Sequence, residues 1–122
     1  MVYDWSQGEL AEGLRCYREQ DFFTAHEHWE KVWLQSAEPE KSLIQAVIQV
    51  AAACHHLQHG NVRGTISLLK SAMGRTVNHP SPCAGVSVIA LREDALRWLA
   101  QLEGDAEFCH QGTPYPVIRL EV

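Results

Sequence analysis

Apolar residues recur every three to four positions over most of the chain, with Gly and Pro at the breaks, and this pattern predicts five helices. Leu10, Leu14 and Tyr17 space a first helix over about Gln7 to Gln20, and Ser6-Gln7-Gly8-Glu9 in front of it has the form of a capping box. Asp21 is placed to cap a second helix, whose stripe is Phe22, Ala25, Trp29 and Trp33 and which ends near Ser36. Pro39 suits the first turn of a third, which runs to about His59 with Gly60 as its terminal cap. Asn61 caps a fourth, with Val62, Ile66, Leu69 and Met73 inward, and Gly74 and then Asn78-His79-Pro80-Ser81-Pro82 are expected to stop it. Ser87 caps the fifth, which carries Val88, Leu91, Ala95, Trp98, Leu99 and Leu102 to Gly104. Beyond it, Pro114-Tyr115-Pro116-Val117-Ile118 reads as an extended tail. The strand-like run from Val117 to Val122 either lies along the bundle or pairs with a second copy. The fold class is therefore all-α: one bundle of about five helices over residues 1–122, with an extended C-terminal tail.

The third helix is unlike the others. No Lys, Arg, Asp or Glu occurs from Leu43 to Leu57, so it is expected at the centre of the bundle. Leu43, Val47, Val50, Cys54 and Leu57 share one face, while Gln45, Gln49 and His56 fall together on the opposite side. Such a row is either the helix's thin solvent edge or the wall of a polar pocket. In the second reading its partners come from the second helix. There His26 lies inside the apolar stripe and Glu30 follows at i+4, within reach. Glu27 and His28 fall outside that stripe and are expected to be exposed.

His26, Glu30 and His56 would make a two-histidine, one-carboxylate set suited to zinc or iron. The His-Glu-x-x-His motif and the paired Glu-x-x-His pattern of di-iron bundles are both lacking. No organic cofactor is called for, and a divalent metal is the one open candidate. His59, His79 and His110 lie in or beside loops and read as incidental. Trp29 and Trp33 serve either as core or as the wall of a ligand pocket. Glycine-rich phosphate loops and the Gly-x-Ser-x-Gly nucleophile motif do not occur.

Composition narrows the classes. The chain has 122 residues, enough for one core without staples, and 15 acids against 10 bases give a net charge of −5, which argues against nucleic acid or an anionic membrane as partner. Cys16, Cys54, Cys83 and Cys109 form no Cys-x-x-Cys pair. No signal peptide is visible at Met1-Val2-Tyr3-Asp4, and the uncharged stretch ending at Gly60 carries three glutamines, too polar for a membrane span. A reducing cytoplasm is the expected compartment.

Ala25-His26-Glu27-His28-Trp29-Glu30 followed by Trp33 resembles the Ala-His-Glu-x-x-Glu-x-x-Trp signature of domain-of-unknown-function family 309. Ile48-Gln49-x-Ala51, then His56, Gly60-Asn61-x-x-Gly64 and Leu68-Leu69, resembles that family's second block, and Gly85 with Pro116-x-Ile118 a looser third. The resemblance implies a small all-helical bundle of bacteria and archaea, and no activity. Its motif residues fall here on His26, Glu27, Glu30, Trp33, Gln49, His56, Asn61 and Gly64. Gly64 is expected to let helices approach closely, and Asn61 to cap the fourth helix rather than touch a ligand. Two functional readings follow. In one, these residues hold the architecture of an interaction module, with function on an outer face or in a homodimer. In the other, His26, Glu30, Gln49 and His56 line a pocket for a small polar molecule, with His26 as acid–base or ligating group, Glu30 orienting it, and hydrolysis or proton transfer as the reaction class.

Overall fold

The computed structural model describes residues 2–104 and 114–121, so Cys109, His110 and the end of the tail lie outside the described residues. Five helices follow one another: α1 (Gly8–Arg18), α2 (Phe22–Gln35), α3 (Glu40–Gln58), α4 (Val62–Thr76) and α5 (Val88–Gly104). Each packs chiefly on its chain neighbours, and the side-chain pairings run antiparallel. Phe23 meets His55 while Lys41 lies over Trp33 (α2 on α3), and Gln49 meets Ser71 while Thr65 reaches Ala53 (α3 on α4).

The core is built around α3. Eleven of its residues are buried, from Leu43 to Leu57, because α2 and α4 cover it on two sides. Trp29 of α2 is wholly buried, donates its indole N–H to the Leu10 carbonyl at 3.3 Å, and lies edge-on to Trp5. It is therefore core, not a pocket wall. Gly13 makes room for it: a Cβ there would stand 2.2 Å from the Trp29 indole nitrogen.

Local chemistry sets the helix ends, with some departures from expectation. Asp21 accepts from the Thr24 N–H at 3.4 Å and Asn61 from the Gly64 N–H at 2.9 Å, as the capping pattern predicts. Gly60 takes the left-handed conformation (φ 73°) that ends α3. The Ser6–Glu9 capping box does not form. Ser6 donates to Asp4 instead, and Glu9 turns to His28 and Lys31 on α2. Pro39 stands just before α3, and Glu38 accepts from the Ser42 N–H and O–H, each at 2.8 Å. Helix α4 runs through Gly74 to Thr76, because Arg92 of α5 donates to the Met73 carbonyl at 2.6 Å and to Thr76 Oγ1 at 2.7 Å, meeting groups at the helix end.

The tail lies along its own bundle. Leu120 pairs antiparallel with Val86, the Ser87 N–H reaches the Arg119 carbonyl at 2.8 Å, and Ile118 is buried. The Pro116 carbonyl accepts from the buried Tyr17 hydroxyl on α1.

Two outcomes test this packing. Gly13→Ala is expected to lower stability by about 2–3 kcal/mol in urea denaturation, since the Trp29 ring has nowhere to go. Cys16, Cys54 and Cys83 are free and buried, and burial pushes the Cys54 thiol up to about 12. All three should resist alkylation at pH 8 in the folded chain and react once denaturant is added, as read by peptide mass spectrometry.

Candidate functional site

Helix α3 touches solvent along one narrow edge. Lys41, Gln45, Ala52, His55 and His56 are half-buried there, and all fall within about 100° of the helix circumference. Helix α2 flanks this edge on the His55 side, and α4 flanks it on the side of Gln49 and His56.

The α4 flank supplies the partners of the polar row. Gln49, buried, donates from Nε2 to Ser71 Oγ at 2.8 Å. The Asn61 amide meets His56 Nδ1 at 3.1 Å, so one side chain caps α4 and ties it back to α3. Gly64 is needed for that cap: a Cβ there would stand 2.7 Å from Asn61 Nδ2, so its smallness clears the capping side chain rather than a neighbouring helix. Gln45 is half-buried on the same edge.

The α2 flank carries the signature residues. His26 Nε2 meets Glu30 Oε1 at 3.2 Å, with the two side chains 28% and 52% exposed. A carboxylate only accepts, so the proton of a neutral His26 sits on Nε2. The other nitrogen, Nδ1, is buried without a hydrogen-bond partner, and so is Gln49 Oε1. Phe23 stacks on His26 and also touches His55. Trp33 is half-buried at the far end of the edge beneath the Lys41 ammonium, 4.6 Å from the ring centroid. Glu27 is exposed, as its position outside the stripe predicts.

The structure thus divides the predicted set. His26, Glu30 and Trp33 line one side of the α3 edge, Gln49, His56 and Asn61 form bonds on the other, and Gln45 lies between. His26 pairs within α2, and the row on α3 pairs with α4, so α2 is not the source of the row's hydrogen bonds. Among the described residues, no three His, Cys, Asp or Glu side chains come together as a metal group, and this includes His26, Glu30 and His56.

Two features escaped the periodicity reading. His28 is half-buried, not exposed, because its ring bonds Glu9 across the α1–α2 interface; that bond is the largest influence holding the Glu9 carboxyl below the usual carboxylate range. Helix α2 has a second interface, toward α1, besides the stripe that faces α3. The other feature is the group of imidazoles at the α3 end, where His55 lies 4.4 Å from His59 and 6.1 Å from His56 between ring centroids. The run His55-His56-x-x-His59 was its visible signal.

Two cavities among the described residues lie away from this edge. An open recess of about 230 Å³ between the N-terminal segment, α1 and α2 is lined by Asp4, Glu9, Lys31 and Gln35, whose acids are already bonded to Ser6 and His28. A space of about 10 Å³ lies among Cys54, Thr65, Trp98 and Tyr115.

Fold and site together define an all-helical bundle whose signature side chains border one half-open edge of its central helix. The chain belongs to the family described as Domain of unknown function (DUF309), whose model matches residues 10–68 and so takes in the first sequence block and all but the last residue of the second. A conserved hypothetical protein from Thermus thermophilus, known from its crystal structure, is 32% identical and superposes with a TM-score of 0.67 over 82% of this chain and 99% of that one. Among proteins with curated descriptions, none matches.

Burial first, then the rings of His59, His56 and His26, hold His55 below the ordinary histidine range. Its folded form therefore resists protonation more than the unfolded chain does. The stability this contributes is fully present above the unfolded value near pH 6.5 and is lost as pH falls toward the lower folded value. Thermal melts should show a Tm that falls from pH 7 to pH 5, and less steeply for His55→Gln.

Proposed function

We propose that the protein is an interaction module, and that it presents the outer face of α2 to a partner protein. The observation that carries this is a stripe of four residues. Phe23, Glu27, Glu30 and Leu34 lie within about 60° of one another on the helix. Both apolar ends are open to solvent, Phe23 at 54% and Leu34 at 69%. An acidic centre between two exposed apolar anchors suits a partner segment with basic residues between apolar ones. The signature residues beneath the stripe support this reading in their bonding. Gln49–Ser71 and His56–Asn61 tie α3 to α4, and Trp33 packs α2 against the core beneath Lys41 of α3. They make α2 a rigid presenting surface. A cytoplasmic setting goes with this reading, supported by the three buried free thiols. No helix among the described residues is long and apolar enough to cross a membrane.

A photo-crosslinking residue at position 27 tests it in cells. The expected result is a discrete adduct that a control at Lys70, exposed on α4, does not give. With the crosslinker kept at position 27, Glu30→Lys with Leu34→Lys should abolish the adduct while leaving the Tm within a few degrees. An adduct of twice the chain mass identifies a second copy as the partner. The absence of any adduct at position 27 sinks the proposal.

A second reading, the small-molecule pocket with His26 as acid–base group, is favoured by one observation. Buried polar atoms without partners cost about 1–3 kcal/mol each, and His26 Nδ1 and Gln49 Oε1 are two such atoms beside the same edge. A site that keeps such atoms for chemistry becomes more stable when they are removed. His26→Ala should therefore raise the Tm under the pocket reading. Under the interaction reading it should lower stability by about 1 kcal/mol through the lost Phe23 stacking and Glu30 pairing. Gln49→Ala is expected to cost about 1–2 kcal/mol in denaturant titration by breaking the bond to Ser71.

A further inference from the structure

We infer that the C-terminal end of α3 chelates a divalent transition ion such as copper(II) or nickel(II) through His55 and His59, with water completing the coordination.

The geometry points this way first. The two imidazole centroids stand 4.4 Å apart. With a metal–nitrogen bond of ~2.1 Å, each ring centroid lies ~3.2 Å from the ion. Two ligands at a right angle then have centroids ~4.5 Å apart, and two at the tetrahedral angle ~5.2 Å. The observed spacing lies close to what two imidazoles bound to one ion require. A helix places residues at i and i+4 on one face, so the spacing follows from the register of α3.

The hydrogen bonding is also that of a metal ligand. His59 donates its Nδ1–H to the His55 carbonyl at 2.9 Å. That bond fixes the tautomer and leaves the Nε2 lone pair outward, the usual outer arrangement behind a metal-bound imidazole. The other two rings nearby are otherwise engaged. His26 faces Glu30, and Asn61 faces His56 Nδ1. Two protein ligands are thus what the helix end offers. Its position favours a cation as well, because the negative end of the α3 dipole lies there.

Calorimetric titration of nickel(II), and separately of copper(II) and zinc(II), into the untagged full chain at pH 7.5 tests the site. One saturable site is expected, with copper(II) binding more tightly than zinc(II). His59→Ala and His55→Ala should each weaken binding by about tenfold or more, because one anchored imidazole presents the second at high effective concentration. The double variant should bind at least as weakly as either single one, and His26→Ala should stay within threefold of the unsubstituted chain. His59 is exposed at the helix cap, so His59→Ala decides the matter even where His55→Ala disturbs folding; circular dichroism checks both. No saturable binding, or affinity within threefold in His59→Ala, overturns the site.

Discussion

A run of fifteen residues without an acid or a base, Leu43 to Leu57, has to be kept from water, and the rest of the molecule is arranged to do so. Helices α2 and α4 cover two sides of it, and α1 and α5 build outward from those. A central helix of this kind can tolerate only a narrow wetted edge. The side chains allowed on that edge must be polar enough to face water and short enough in charge not to oppose burial next door. Glutamine and histidine meet both demands, which is why they stand where lysine and glutamate would on a surface helix.

Charge is accordingly kept to the periphery. The acids of α2 face outward in a line, while the polar groups of α3 bond inward or sideways to uncharged partners such as Ser71 and Asn61. Histidines carry the transition between the two regions. His28 ties α2 to α1 through Glu9, His26 is held by Glu30 on the rim, and His55 is lowered in proton affinity by its own neighbours. One residue type thus serves three environments, and burial and partner decide its behaviour in each.

The helical architecture was legible in the sequence because its signals are local. Asp21 and Asn61 cap as their spacing predicts, and the charge-free stretch marks α3 as central. What could not be seen were contacts between elements with no fixed sequence separation. Glu9 leaves a well-formed capping pattern because His28 and Lys31 lie across the α1–α2 interface. Arg92 carries α4 past Gly74, and Trp29 fills the hollow at Gly13. For the site, periodicity placed Gln45, Gln49 and His56 in one row on α3 and left open whether that row was an edge or a pocket wall. It had no means of telling whether α2 or α4 would face them, because a helical wheel gives an angle and not a neighbour. The exposed stripe on α2 was hidden for a related reason: inward-facing patterns draw the eye, and Phe23 and Leu34 stand outside them.

The turn at Cys83–Val86 has a further consequence. Trp5, near the beginning of the chain, donates to the Ala84 carbonyl at 2.8 Å, and the last described residues pair with Val86 and Gly85 from the other side. A single short loop therefore holds both the segment before α1 and the described tail. The stretch that matches the family model, residues 10–68, stops well before that loop. Excised alone, it would leave the Tyr17 hydroxyl without the Pro116 carbonyl and the α4 core face without α5. The recognisable signature thus packs against residues outside it, and the less recognisable half of the chain supplies that cover.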